Sequence, residues 1–110
     1  MKSPEQRDLF PGALEMMILR TLKRQPLHGY ALAQHIKRTS NDLLQIEEGS
    51  LYPALYRMER RGWISSTWNV TENNRRARFY RLTRSGRRQL DAETESWARL
   101  TAAVHGVLGS

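Results

Sequence analysis

A mainly α-helical fold with one small β-hairpin is predicted by three features of the sequence. Apolar residues recur at helical spacing through most of the chain, and the period falls to two only after Gly62. A polar, asparagine-containing stretch at residues 71–77 separates two β-prone runs. A long C-terminal segment then repeats apolar residues every three or four positions. We therefore expect a winged helix-turn-helix domain at residues 10–82 and a C-terminal dimerisation helix at residues 83–110.

Length and composition limit the class of protein. With 110 residues, 39% of them hydrophobic, the chain has the size of one domain and a modest core, which favours dimerisation. It has no cysteine, which excludes a disulfide framework and a thiolate metal site. The longest aliphatic run, residues 16–19, is far shorter than the ~20 residues of a membrane span, and the N terminus lacks the apolar core of a signal peptide. We expect a soluble, cytoplasmic protein with no membrane partner.

The positive charge is concentrated in one part of the chain. The formal net charge is +7, and residues 57–88 hold ten basic residues against two acidic ones, a net +8, which leaves −1 for the remainder. A solvated surface needs no such segregation, whereas a phosphate backbone attracts a local excess of cations. The charge distribution therefore favours nucleic-acid binding over an ordinary basic surface.

The first helix is expected at residues 13–24, after a loose arm at residues 1–9. Apolar side chains repeat at i, i+4 and i+8 from Leu14, so the helix needs cover on more than one side. Pro26 prevents it from continuing.

A second helix is expected from His28 to about Thr39, with Tyr30, Ala33 and Ile36 at helical spacing. His28 has no carboxylate or second histidine at ligand spacing. We therefore interpret it as a residue that bonds local backbone at the start of the helix, rather than as a ligand or base.

The central helix follows a turn at residues 40–42 and completes a helix-turn-helix. Ser50 is the expected N-cap, with Pro53 in the first turn, where its missing amide removes no intrahelical bond. Gly62 is expected to end the helix in the left-handed conformation, with Trp63 folding back as the hydrophobic contact of the cap.

The two faces of the central helix differ sharply in chemistry. At ~100° per residue, Leu51, Leu55 and Met58 share the buried face. Aromatic and cationic side chains occupy the other, as a helix in the major groove requires for bases and phosphates. The residues expected to contact DNA from this helix are Ser50, Tyr52, Pro53, Tyr56, Arg57 and Arg60.

A basic hairpin is predicted directly after this helix. Residues 64–70 alternate with period two, residues 78–82 form a second β-prone run, and asparagines between them tolerate the left-handed turn conformation. A hairpin in this position is a wing. The wing residues expected to contact DNA are Arg75, Arg76 and Arg78.

The last helix is expected to run from about Arg84 to Leu108, ~38 Å at 1.5 Å per residue, with Thr83 as its N-cap. Gly86 is expected to weaken its first turn only slightly. Its heptad seam consists of Leu90, Thr94, Trp97, Thr101, Val104 and Leu108. The seam either folds back on the wing or is covered by a second subunit, and the overhang of so long a helix favours the second subunit.

The sequence offers no constellation of catalytic residues. The acidic residues are scattered, and neither a glycine-framed nucleophile nor a phosphate-binding glycine loop occurs. We expect no enzymatic activity, no cofactor and no metal.

The motifs resemble those of the PadR family of winged-helix bacterial transcriptional regulators. The matching segments are His-Gly-Tyr at residues 28–30, Gly-Ser-Leu-Tyr-Pro-Ala-Leu at residues 49–55 with Glu59 and Gly62, and Tyr-Arg-Leu-Thr at residues 80–83 with Gly86. They cover roughly residues 10 to 90. The resemblance implies a homodimer that represses by binding a palindromic operator in double-stranded DNA, and the short subclass, in which one C-terminal helix makes the dimer. In some members of the family an effector releases the DNA.

Two functions follow from this sequence. The first is a dimeric DNA-binding repressor, and the second is a ligand- or protein-binding module that keeps the winged helix as a scaffold. A possible effector site is predicted at the two-fold axis, where Trp97 would meet its symmetry mate beside the small Thr94, Ala98 and Thr101. Such a slot suits planar aromatic molecules, as the resemblance to multidrug-responsive members also suggests. A fully packed seam without a cavity is the alternative.

Overall fold

The predicted architecture is present in a computed structural model, which describes residues 12–110. Within that range the chain forms four helices and one three-stranded sheet. In chain order the elements are α1 (Ala13–Arg24), β1 (Leu27–His28), α2 (Gly29–Thr39), α3 (Glu48–Arg60), β2 (Ile64–Val70), β3 (Arg76–Leu82) and α4 (Arg84–Leu108). The mainly α fold is confirmed, and the arm expected at residues 1–9 lies outside the described residues. No helix in residues 12–110 is long and apolar enough to cross a membrane.

The hydrophobic core lies where α1, α2 and α3 meet the sheet. Its largest fully buried side chains are Ile18, Leu19, Leu32, Leu51, Leu55, Met58 and Ile64. The stripes predicted for α1 and α3 supply most of this set, and each such side chain contributes about 1.5–3 kcal/mol of transfer free energy. Leu90, near the start of α4, is 2% exposed and joins the same core.

Helix α2 has the predicted bounds but a different buried face. Leu32 and Ile36, one turn apart, are buried in the core, whereas Tyr30 is 69% exposed. The expectation that Tyr30 lies on the apolar stripe is therefore wrong, because the Leu32–Ile36 pair turns position 30 outward. His28 caps the helix as expected, since its Nδ1 accepts the Ala31 amide at 3.4 Å.

Helix α3 begins earlier than the sequence predicts. Its N-cap is Glu47, whose carbonyl accepts the amides of Ser50 and Leu51 at 3.0 and 2.9 Å. The prediction of Ser50 as N-cap is therefore wrong, and Pro53 lies in the helix interior instead of the first turn. Glu48 is favourable in the first turn because its negative charge complements the helix dipole, which explains the earlier start.

The C-terminal end of α3 follows the prediction. Gly62 has a φ of 76°, and its amide donates to the Glu59 carbonyl at 3.0 Å. The Trp63 amide donates to the Met58 carbonyl at 3.0 Å. These two bonds form a Schellman motif, which requires the left-handed residue that glycine supplies without steric cost.

The wing is an antiparallel hairpin in which Ile64 pairs with Leu82 and Val70 with Arg76. Strand β3 starts two residues earlier than predicted, so Arg76 belongs to the strand and the turn closes between Thr71 and Arg75, with the Thr71 amide 2.7 Å from the Arg75 carbonyl. Strand β1 pairs with the other edge of β3 and was not predicted. Two residues are too few to show a period.

The start of α4 is fixed by Thr83 and Gly86. The Thr83 hydroxyl accepts the Gly86 amide at 3.0 Å, which confirms the predicted cap. The sequence predicts only a slight weakening of the first turn by Gly86, but the residue has a structural role. It is buried, and a Cβ there would overlap the carbonyl oxygen of Trp63. The close approach of α4 to the chain leaving α3 thus requires glycine at this position.

Candidate DNA interface

The outermost ridge of α3 is aromatic and cationic. The buried face is centred on Leu51 and Met58, so at 100° per residue Pro53, Tyr56 and Arg60 point directly away from the core. Tyr56 is 62% exposed, and the guanidinium of Arg60 lies 5.8 Å from the centre of its ring, within the range of a cation–π contact. This ridge presents a flat ring and a planar cation together.

Tyr52 lies on the flank of α3 that faces α2. It is 44% exposed, and its ring packs so closely on Gly29 that a Cβ added there would lie 2.6 Å from the Tyr52 hydroxyl oxygen. The segments at residues 28–30 and 49–55, distant in sequence, therefore meet at this contact. Gly29 allows Tyr52 to occupy its place beside the start of α2.

Arg57 lies on the opposite flank, towards α1. Its guanidinium pairs with the Glu15 carboxylate at 3.6 Å, and half of the Arg57 side chain is exposed. An ion pair so exposed to water stabilises the fold weakly. Its consequence is that Glu15 holds Arg57 in a preferred direction in the free protein.

The other predicted DNA-contacting arginines form no ion pair with a described carboxylate. Within residues 12–110 no acidic oxygen lies within 4.0 Å of the charged groups of Arg60, Arg75, Arg76 or Arg78. Their charge is therefore available to an external anion, which the concentration of positive charge in the sequence also indicates.

A polar contact and a buried tyrosine join α3 to the wing. The Ser66 hydroxyl of β2 donates to the Glu59 carboxylate at 2.7 Å. On β3, Tyr80 is buried, and that burial raises the pKa of its hydroxyl, while the neighbouring positive charge of Arg78 acts in the opposite direction. Tyr80 is thus a neutral phenol at physiological pH and anchors the base of the wing beneath α3.

The outer half of the wing carries Trp68, which the sequence pattern does not predict as a site residue. Trp68 is opposite Arg78 in the strand register and is 58% exposed. The guanidinium carbons of Arg76 and Arg78 lie 5.4 and 5.5 Å from the centre of its ring. The alternation of β2 was visible in the sequence, but the register that brings Trp68 to these arginines was not.

The seam of α4 lies apart from this surface. Leu90 is used by the core of its own chain, and the other five seam residues are exposed or half-buried: Thr94, Trp97, Thr101, Val104 and Leu108. Trp97 is 37% exposed and lines a cavity of about 150 Å³ at the crossing of α1 and α4, together with Met16 and Leu100. A larger open groove, about 720 Å³, lies elsewhere, between α2 and the tip of the wing.

Within residues 12–110, no three histidine, cysteine or acidic side chains come together to form a metal site.

Each predicted DNA-contacting residue of α3 and of the wing is exposed except Ser50, which is half-buried in the first turn of α3. The outward face of α3 and the outer wing are therefore both open to solvent. The α4 seam is a separate surface.

Comparison with known proteins gives consistent matches along most of the chain. Residues 18–92 match the model of the transcriptional regulator PadR-like family. The transcriptional regulator Rv3488 of Mycobacterium tuberculosis is 30% identical over 100 residues, which cover 91% of this chain and 90% of that protein. The structure of a transcriptional regulator from Clostridium thermocellum has a TM-score of 0.82 at 27% identity, covering 90% of this chain and 96% of that one. A PadR family regulator from Eggerthella lenta has a TM-score of 0.76 at 32% identity, with coverage of 89% and 83%.

Proposed function

Because this chain belongs to the PadR-like family of DNA-binding transcriptional regulators, we propose that it is a homodimeric, cytoplasmic repressor of a palindromic operator. The fold and the family are those of transcriptional regulators and not of enzymes. The observation that carries the proposal is the aromatic and cationic surface formed by α3 and the wing, on which Arg60, Arg75, Arg76 and Arg78 form no ion pair with a described carboxylate.

In this proposal α3 occupies the major groove. Tyr56 and Arg60 on the central ridge contact base edges, with Pro53 on the same ridge. Tyr52 and Arg57 contact the DNA from the flanks, and Ser50 from the first turn. A hydroxyl or guanidinium on a base edge discriminates by hydrogen bonding, and each correct contact is worth about 1–3 kcal/mol against the wrong base.

The wing supplies contacts to the phosphate backbone. Arg75 lies at its turn, and Arg76 and Arg78 lie on β3 facing Trp68. Contacts to phosphate carry no sequence information by themselves, but they fix the register and orientation of α3 on the duplex.

The dimer forms through the seam of α4. Apolar side chains remain exposed along it, including Val104 at 42% and Leu108 at 76%, and a second copy would bury them. A two-fold dimer presents two α3 helices to two half-sites, so its operator is expected to be palindromic.

An effector of planar aromatic chemistry would bind beside Trp97 at the dimer axis. The cavity at Trp97 in a single chain is about 150 Å³, below the ~300 Å³ at which ligand pockets begin. Neither Thr94 nor Thr101 lines that cavity. The site we propose is therefore a different one, which forms when the partner subunit covers Thr94, Trp97 and Thr101. In a protein lacking Trp63 and Trp68, planar aromatic compounds should quench the fluorescence of Trp97 saturably, and an absence of quenching would leave the seam purely structural.

Selection of binding sites from random duplex DNA tests the proposal directly. We expect a palindromic consensus, and the variant with Tyr52, Tyr56 and Arg57 changed to alanine should keep its fold and lose most of the difference in affinity between the selected and random duplexes. Arg99→Ala is the matched control for loss of charge, since Arg99 pairs with Glu95 on α4 at 3.7 Å, away from α3.

The scaffold alternative, a ligand- or protein-binding module, predicts a different result. It requires that the wild-type protein shows no tight, sequence-dependent retardation of DNA, including the DNA upstream of its own gene. An undiminished preference in the alanine variant would instead mean that the sequence is recognised elsewhere or through DNA shape.

A further inference from the structure

One indole on the wing lies against two guanidinium groups. Trp68 pairs with Arg78 across the hairpin, and Arg76 is two residues nearer the turn on the same face of β3. Their guanidinium carbons are 5.4 and 5.5 Å from the centre of the Trp68 ring, both within the ~6 Å of a cation–π contact. The ring therefore attracts both guanidinium groups, and this attraction offsets part of the repulsion between the two like charges.

This contact is not part of the hydrophobic core. Trp68 is 58% exposed, whereas Ile64 and Tyr80, further along the same face of the hairpin, are 2% and 6% exposed. The core ends between them and Trp68. Replacing Trp68 should therefore change the surface of the wing while leaving the packing of the sheet intact.

The face that carries Trp68 is the face that packs against α3. Side chains of a strand alternate between faces, so Ser66 and Trp68 project to the same side of β2. Ser66 donates its hydroxyl to Glu59 of α3 at 2.7 Å. Trp68 therefore lies on the face of the wing that adjoins α3, two residues beyond Ser66.

We propose that Trp68 is a positioning residue for DNA binding, which holds the guanidinium groups of Arg76 and Arg78 in place for the phosphate backbone. A guanidinium stacked on an aromatic face keeps its in-plane N–H donors open to a ligand. Holding both arginines before binding also reduces the side-chain freedom lost on binding. The inference rests on the proposed function, in which the wing contacts DNA.

The test compares Trp68→Leu with Trp68→Phe, using a duplex selected by the wild-type protein and a random duplex of equal length. Trp68→Leu should weaken binding to both duplexes about five- to tenfold, the loss expected for two exposed cation–π contacts. The slope of log K against log salt should fall by up to about two, because each phosphate contact contributes ~0.9. Trp68→Phe keeps a ring and should retain most of the affinity and the slope. Thr67→Ala, on the opposite face of the same strand, is the control.

The same substitution in the Arg76→Ala, Arg78→Ala background separates positioning from direct contact. If Trp68 acts through these arginines, Trp68→Leu should have no further effect on binding there. An equal loss in both backgrounds, or wild-type binding by Trp68→Leu, would overturn the inference. If the wild-type protein shows no preference for any duplex, the proposed function itself fails. Thermal unfolding of each variant confirms that the fold is retained.

Discussion

Gly29 determines where Tyr52 lies, although the two residues belong to different helices. A Cβ at position 29 would come within 2.6–2.9 Å of the hydroxyl and ring carbons of Tyr52. Because these atoms are the far end of a flexible side chain, the ring can move aside while the backbone stays in place. Residue 29 thus controls the direction of a side chain that we propose contacts DNA.

Gly29→Ala should therefore leave the fold intact and reduce discrimination between operator and random DNA. The expected loss is at most that of Tyr52→Ala, about 1–3 kcal/mol for one base contact. Combining the two substitutions should cost no more than Tyr52→Ala alone, as measured by competition binding. Additive losses would show that Gly29 affects DNA binding by another route. Gly106→Ala is a suitable control, since an added Cβ there meets no atom within 4 Å.

Gly86 presents the opposite case, because the atom it approaches cannot move. The Trp63 carbonyl oxygen also accepts the Thr83 amide at 3.1 Å, which ties two backbone segments together. Gly86→Ala should lower the free energy of unfolding by ~1–3 kcal/mol or more, since overpacking usually costs an amount in that range. Urea unfolding, with Gly106→Ala as the control, measures this loss. A Gly86→Ala protein as stable as the wild type would show that α4 can shift without cost.

At the scale of elements, the sequence predicted what depends on local chemistry. The caps at Thr83 and Gly62 each depend on one residue type at one position, and both were found. The start of α3 was missed because Ser50 is a good cap and yet Glu48 extends the helix favourably. Strand β1 was missed because its pairing with Tyr80 and Phe79 is non-local.

In the candidate site, too, the features set by local sequence were predictable and those set by non-local contacts were not. Exposure of Tyr56 and Arg60 followed from helical periodicity alone. The ion pair between Arg57 and Glu15 links different helices, which periodicity cannot relate. The contact of Trp68 with two arginines depends on the strand register, and a shift of one residue would have placed Trp68 on the other face.

The wing as an element should determine the salt dependence of binding more than its specificity. Arg75→Ala or Arg76→Ala should weaken binding to all sequences alike, and each should reduce the slope of log K against log salt by about one. Arg99→Ala removes the same charge from α4 and should leave the slope nearly unchanged. An unchanged slope in the Arg75→Ala, Arg76→Ala double variant would remove the wing from the DNA interface.

At the scale of the whole molecule, the chain is elongated by α4. Its principal extents are 54, 33 and 21 Å, and α4 contributes 25 residues. Only the start of this helix enters the core, through Leu90. Further along, Val107 and Leu108 are 74% and 76% exposed, so the fold of one chain leaves apolar surface at the end of α4.

Truncation before Asp91 should therefore convert a dimer into a folded monomer. The cut retains Leu90, and with it the core contact of α4, while removing the rest of the seam. Light scattering of the full-length and truncated chains measures the mass, and circular dichroism establishes whether the truncated chain is folded. A truncated chain that remains dimeric would show that the main interface lies in the winged-helix domain.

Trp97→Ala tests the same interface with one side chain. Aromatic residues at the centre of an interface carry a disproportionate share of the binding energy, often 2 kcal/mol or more, which corresponds to roughly a thirtyfold weaker dimer. Trp97 also lines the cavity between α1 and α4 together with Met16. Its loss can therefore affect the stability of the single chain, so thermal unfolding must be measured alongside the concentration dependence of mass. Glu95→Ala, on the opposite side of α4, is the control. If Trp97→Ala weakens folding and leaves the dimer constant unchanged, Trp97 stabilises its own chain and the interface is centred on Val104 and Leu108.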